Sequence, residues 1–212
     1  MSLFSSRVAR PLVALALTAV VAEPVFAGPP LLCFPFDIGP ATSLPWDKDN
    51  THWKGMRADY DVSHLTGDTV ALLTPTTPIL VRMETLRRAA LYATKDDHIA
   101  HGLVDALVFR AKKSANAAPA EASLAEFDAG YLIETLKQTT YFAPSTASIV
   151  AKIDGYAMVQ HSLTLRNDDP SIAFAAALMT WGKADHDAHV RRAKAGASAD
   201  MLLARNIDHV GQ

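Results

Sequence analysis

The chain has 212 residues, half of them apolar, 20% charged and 8% aromatic, with a formal net charge of −2. These proportions exclude a disordered chain, a collagen-like fibre and a disulfide-built mini-protein, and near-neutrality offers no basic footprint for nucleic acid. One cysteine excludes an intramolecular disulfide.

Arg7 and Arg10 precede an unbroken apolar run from Leu12 to Ala22. A membrane span needs about 20 residues, so this run is too short to be one, but it fits a secretory h-region. Glu23-Pro24 breaks it, and Val25-Phe26-Ala27 gives a compact exit before Gly28. The pattern predicts a removable signal peptide over 1–27 and an exported protein, periplasmic or extracellular. Its removal leaves 185 residues with 18 basic and 21 acidic side chains, a net charge of −3 and no stable transmembrane segment. Leu32 before Cys33 argues against lipid attachment, and the apolar neighbours of Cys33 favour a packed thiol.

From Gly28 to Trp46 the chain reads GPPLLCFPFDIGPATSLPW, with five prolines and two glycines. Proline removes donors and blocks a helix, yet a disordered linker would lack this many aromatic and aliphatic residues. The expectation is an extended Pro-rich arm over 28–55, laid in an apolar groove of the protein's own body or, as the alternative, docked onto a partner subunit, ahead of a helical domain over 56–212. Between Met56 and Leu73 one or two short helices are expected, with Asp68 as an N-cap.

After Pro75 and Pro78, spacing of 3.6 residues takes over. A helix over Ile79 to Thr94 carries its stripe on Ile79, Met83, Leu86, Ala90 and Ala93. Arg82, Glu84, Arg87 and Arg88 fall on its other faces. Asp96 or Asp97 caps a second helix that ends near Lys112-Lys113. Ala115 to Ala122 reads as a linker, and Ser123 with Glu126 as the capping box of the third helix. A fourth is expected from Thr146 to Arg166. Asn167-Asp168-Asp169-Pro170 then caps a fifth, whose run Ile172 to Trp181 is apolar on nearly every side and should be buried. Last come a segment from Ala184 through Arg192 and another from Asp200 to His209. The fold class is all-α, with antiparallel helical hairpins that are repeat-like or an irregular bundle. An offset of 72 aligns Leu86 with Met158, Leu107 with Met179 and Phe109 with Trp181.

The mature start GPPLLCFPFDIG with SLPW, the run VRMETLRRAALYA and the segment FDAGYLIETLKQ resemble uncharacterised secreted bacterial proteins with helical, tetratricopeptide-like bodies. The resemblance spans most of the mature chain. It implies an exported helical fold and no activity.

Eight histidines raise the question of metal. His98 with His101, and His186 with His189, each share a helical face, with Asp97, Asp185 and Asp187 as neighbouring oxygens. Two imidazoles fall short of the three or four ligands of a zinc site, so no metal or cofactor is assigned and exposed, unliganded histidine is the expectation. Ser63-His64 is adjacent in sequence and does not pair on a helix; no GxSxG, SxxK, CxxCH or Gly-rich phosphate loop is present. Arg87-Arg88 and Arg191-Arg192 with Lys194 read as solvated faces. The favoured function is a protein- or peptide-binding module of the cell envelope, more readily than an enzyme. The alternative is a metal- or carboxylate-dependent envelope hydrolase.

Overall fold

The computed structural model describes residues 30–33, 35–47 and 54–210; residues 1–27, expected to be a signal peptide, lie outside them. Among the described residues there are nine α-helices and no strand. They are α1 (Leu65–Leu72), α2 (Ile79–Ala93), α3 (Asp97–Ser114), α4 (Pro119–Thr139), α5 (Ala147–Val150), α6 (Gly155–Leu165), α7 (Pro170–Met179), α8 (His186–Gly196) and α9 (Met201–Asn206). None of the described helices is long and apolar enough to cross a membrane.

Helix α4 is the axis of the body, packing on α2, α3 and α6, while α7 pairs with α8. Helix α7 is buried from Ser171 to Met179, as its nearly uniform apolar composition predicts. Proline at N1 and Asp169 at the N-cap start it; the Asp169 carboxylate accepts from the Ser171 and Ile172 amides. The turn before it places Asn167 at φ 50° and Asp168 at φ 65°, a left-handed conformation that Asn and Asp tolerate better than most residues. Asp96, Asp154 and Asp200 cap α3, α6 and α9 in the same way.

Several boundaries differ from the sequence expectation. Helix α1 starts at Leu65, so Asp68 is no N-cap; it lies in the first turn and accepts from Tyr60 Oη at 2.7 Å. Residues 119–122 are helical rather than linker, because Pro119 at N1 starts α4 there. Ser123 is therefore inside α4 and makes no capping box. It is buried, and its Oγ lies 2.9 Å from both the carbonyl oxygen and Oγ of Ser162 on α6. The helix expected over 146–166 is broken between Val150 and Gly155, where Asp154 caps a new start.

That new start serves a close crossing. A Cβ built on Gly130 of α4 would sit 2.5 Å from the Gly155 carbonyl oxygen, and one on Gly155 2.6 Å from the Gly130 oxygen. Backbone faces backbone, so an added methyl can be accommodated only by separating the helices. Gly130→Ala should cost about 1–3 kcal/mol in urea denaturation, the usual range for an overpacked core. Gly67→Ala, on α1 with nothing within 4 Å of the new Cβ, should instead gain up to about 1 kcal/mol from helix propensity.

The arm lies on the protein's own body. Leu31, Leu32, Phe36, Ile38, Leu44 and Trp46 are all buried in the common core. Phe36 meets Phe174 of α7 edge to face, with ring centroids 6.0 Å apart. At about 1.5–3 kcal/mol for each fully buried large apolar side chain, these residues hold the arm by on the order of 10 kcal/mol.

Candidate functional site

An extended segment with no strand beside it has backbone N–H and C=O groups to satisfy when buried. Helices spend most of their own main-chain groups internally, so here side chains answer the arm. The Gln138 side chain accepts from Leu31 N at 2.8 Å. The Arg87 guanidinium donates to Leu32 O at 3.2 Å, and Glu84 accepts from Phe36 N at 3.1 Å. Asn206 of α9 accepts from Asp37 N and donates to Asp37 O, at 2.8 and 2.9 Å. Arg88 donates to Leu44 O at 2.6 Å, and Tyr92 Oη to Pro45 O at 2.8 Å.

The centre of this clamp is Glu84, fully buried on α2. Its carboxylate accepts from Arg87 Nε and Nη2 at 2.7 and 2.8 Å, and from Arg88 Nε at 2.6 Å. The Arg87 guanidinium also lies over the Trp46 ring, 4.9 Å from its centroid. This corrects the expectation of a solvated face at Arg87-Arg88: Arg87 is buried, as are Arg82 and Glu84, and Arg88 alone of the helix's fifteen residues is not. The wet face assigned to Arg87-Arg88 is a face that meets the arm. Tyr131 Oη on α4 is buried without a hydrogen-bond partner, and burial, eased slightly by Arg87, raises that phenol well above its usual range. Cys33 is a half-buried free thiol, raised by burial, as a packed cysteine should be.

A second charged group lines an open cleft. The buried carboxylate of Asp128 on α4 takes both oxygens to Arg82 Nη1, at 2.9 and 2.7 Å. Arg82 spends its remaining donors on Thr77 O and Thr74 O in the turn before α2. Burial pushes the Asp128 carboxyl up to about 6, and Arg82 followed by Arg110 holds it from going higher. Arg110 on α3 donates through Nη2 to Leu73 O, while its buried Nη1 makes no hydrogen bond and lies 4.0 Å from Asp128 Oδ2. The cleft here holds about 340 Å³; Leu73, Pro75, Leu124 and Ala125 form apolar wall, and Lys113, Ser114 and Glu121 join the two arginines as polar lining.

The histidine pairs separate in character. His98 and His101 on α3 are exposed, as expected. His186 and His189 are not, which corrects the expectation for that pair. His186 Nδ1 lies 3.0 Å from Ala177 O, and its ring sits against Trp181. His189 is buried with Nε2 2.8 Å from Tyr156 Oη, a hydroxyl that also receives Gln160 Nε2 at 2.9 Å. Burial, then Arg192, lowers the His189 imidazole, and burial with Asp185 raises the Tyr156 phenol. Both shifts favour neutral forms, so the pair ties α6 to α8 as a neutral hydrogen bond. Among the described residues no three His, Cys, Asp or Glu side chains are gathered where one metal ion could sit. Compared with family models, with curated proteins and with solved structures, the chain matches none.

Proposed function

We propose that this chain is an exported helical module that binds a protein or peptide partner at the cleft between the turn before α2, the end of α3 and the start of α4. The observation behind this reading is that the arm groove is filled by the chain's own segment, whereas the cleft is open and mixes an apolar wall with cationic donors. Small binding sites are concave, largely apolar and carry a few placed polar groups, in roughly 300–1,000 Å³. Export rests on the charged, apolar and compact-exit pattern of 1–27 and on the resemblance to secreted proteins with tetratricopeptide-like bodies. Helices joined in series by short turns suit such a role, because stacked hairpins present concave surfaces.

Site-specific cross-linking tests it. A photoreactive phenylalanine in place of Ser114, on the cleft wall, should give a discrete protein adduct on irradiation of the expressing cells. The same group in place of Asp187, exposed on α8 and not part of the cleft lining, should give none. Equal adducts from both positions, or none from either, would count against the proposal.

A further inference from the structure

The cleft has a definite charge arithmetic. Arg82 is cancelled by Asp128, bound to it at 2.7 Å, and is otherwise spent on two carbonyls. That leaves Arg110 and Lys113 as cations against Glu121 at the cleft, an excess of one positive charge. Arg110 Nη1 is the one guanidinium nitrogen at this site that is buried and makes no hydrogen bond. The Arg110 side chain is 32% exposed and lines the cleft, so a ligand there reaches its accessible atoms rather than the enclosed Nη1. Guanidinium presents a planar fork that matches a carboxylate. An excess of one charge suits a monoanion, and a phosphate dianion would be under-compensated. The opposite wall, Leu73, Pro75, Leu124 and Ala125, is apolar, and 340 Å³ admits one or two residues rather than a folded surface.

We infer that the cleft takes the carboxylate of a short amphiphilic acid, with Arg110 on the carboxylate, Lys113 at the rim and the apolar wall on the ligand's side chain. The inference rests on the binding reading above and narrows it: the partner's recognised element is a C-terminal carboxyl group carrying an apolar last residue. A free small acid has the same chemistry, and the experiment separates the two sources.

The mature chain is titrated by calorimetry with a hexapeptide ending in leucine, the same peptide amidated at its C-terminus, N-acetyl-leucine and inorganic phosphate. Binding of the free-acid peptide, weakened at least tenfold by amidation and at least tenfold by Arg110→Met, supports the inference. Arg110→Met keeps the aliphatic stem, and its melting curve shows whether it folds. Lys113→Met is the second variant, at an exposed position, and should weaken binding three- to tenfold. Lys152→Met, exposed and outside the cleft lining, should leave it unchanged. If N-acetyl-leucine binds as tightly as the peptide, the carboxylate site stands and the peptide-partner reading falls. If the amidated peptide binds as well as the free acid, the carboxylate inference falls and the peptide reading stands. Tighter binding of phosphate, affinity indifferent to both cleft variants, or no binding of any probe at 5–10 times about 1 mM, near the weak end of measurable affinity, overturns the inference.

Discussion

Glu84→Gln should lower the stability of the folded chain by about 3–5 kcal/mol, the range for stripping one partner from a buried ion pair. Glu84 is fully buried and takes three donors from two guanidiniums together with the Phe36 amide. Glutamine keeps the shape but removes the charge and turns one acceptor into a donor. Two guanidiniums would then face each other, with Arg87 fully buried. In a chain of this size about 1 kcal/mol moves the melting temperature by about 2–4 °C, so the midpoint should fall by roughly 10 °C. Because both arginines lie over Trp46, at 4.9 and 5.7 Å, tryptophan emission should shift to the red below the melting transition. Asp59→Asn breaks the exposed pair between Asp59 and Arg57, whose side chains are 67% and 52% exposed, and should leave the melting temperature nearly unchanged. A loss at Glu84 no larger than at Asp59 would mean that water reaches the cluster and that the clamp is not buried in solution.

Arg82→Met should be the second severe change, and it should depend on pH. Removing Arg82 strands the Asp128 carboxylate inside α4, with Arg110 4.0 Å away as its remaining cation, and takes a donor from the carbonyls of Thr74 and Thr77, of which Thr74 O keeps the Thr77 amide. At pH 8 the expected loss is again about 3–5 kcal/mol. The Asp128 carboxyl titrates at about 6 in the folded protein against 3.8 for a free aspartate. Between those values the native state binds more protons than the unfolded state, so this group's contribution is present at low pH and lost as pH rises through its folded pKa. Without Arg82, which lowers that pKa, the carboxyl keeps its proton to still higher pH. The difference in stability between Arg82→Met and the parent should therefore shrink from pH 8 to pH 5, measured by urea denaturation at each pH. A loss that is constant across that range would place the cost in the donors lost to the Thr74 and Thr77 carbonyls rather than in the carboxylate.

The helical class, the buried run in α7, the caps at Asp96 and Asp169 and the arm on its own body were legible because each is a local signal. Apolar spacing of 3.6, proline at N1 and an aspartate one residue before a helix act within a single turn. Arg87 was misread as solvated for a reason that is not local. Arg87 and Glu84 break the apolar pattern, and on an isolated helix they belong in water; they are buried because an arm 48 to 55 residues away brings main-chain groups that need them. A cue was available: a segment apolar enough to be buried, yet too rich in proline to pair with itself, must borrow partners from the helices it touches. Ser123 followed by Glu126 fits a capping box equally well at a helix start or inside a helix, and Pro119 upstream decides in favour of the latter. The break before Gly155 depends on Gly130 across the crossing, a partner that sequence separation conceals. The cleft was missed because Arg82, Arg110 and Asp128 belong to three helices and no spacing links them.

The hydrogen bonds between Asp37 and Asn206 join positions 169 residues apart. Closing a loop of that length carries a larger entropic cost than any hairpin turn within the body, and contacts of that range form after the local ones that make them worthwhile. The arm is near the beginning of the chain, but its groove is complete only when α9 has been made and docked. During synthesis, Leu31, Leu32, Phe36 and Trp46 thus emerge early and settle late. The clamp on the arm acts as a check on completion: a chain that stops short of Asn206 keeps an apolar, proline-rich flag unfurled, open to chaperones and proteases, and a full-length chain folds it away.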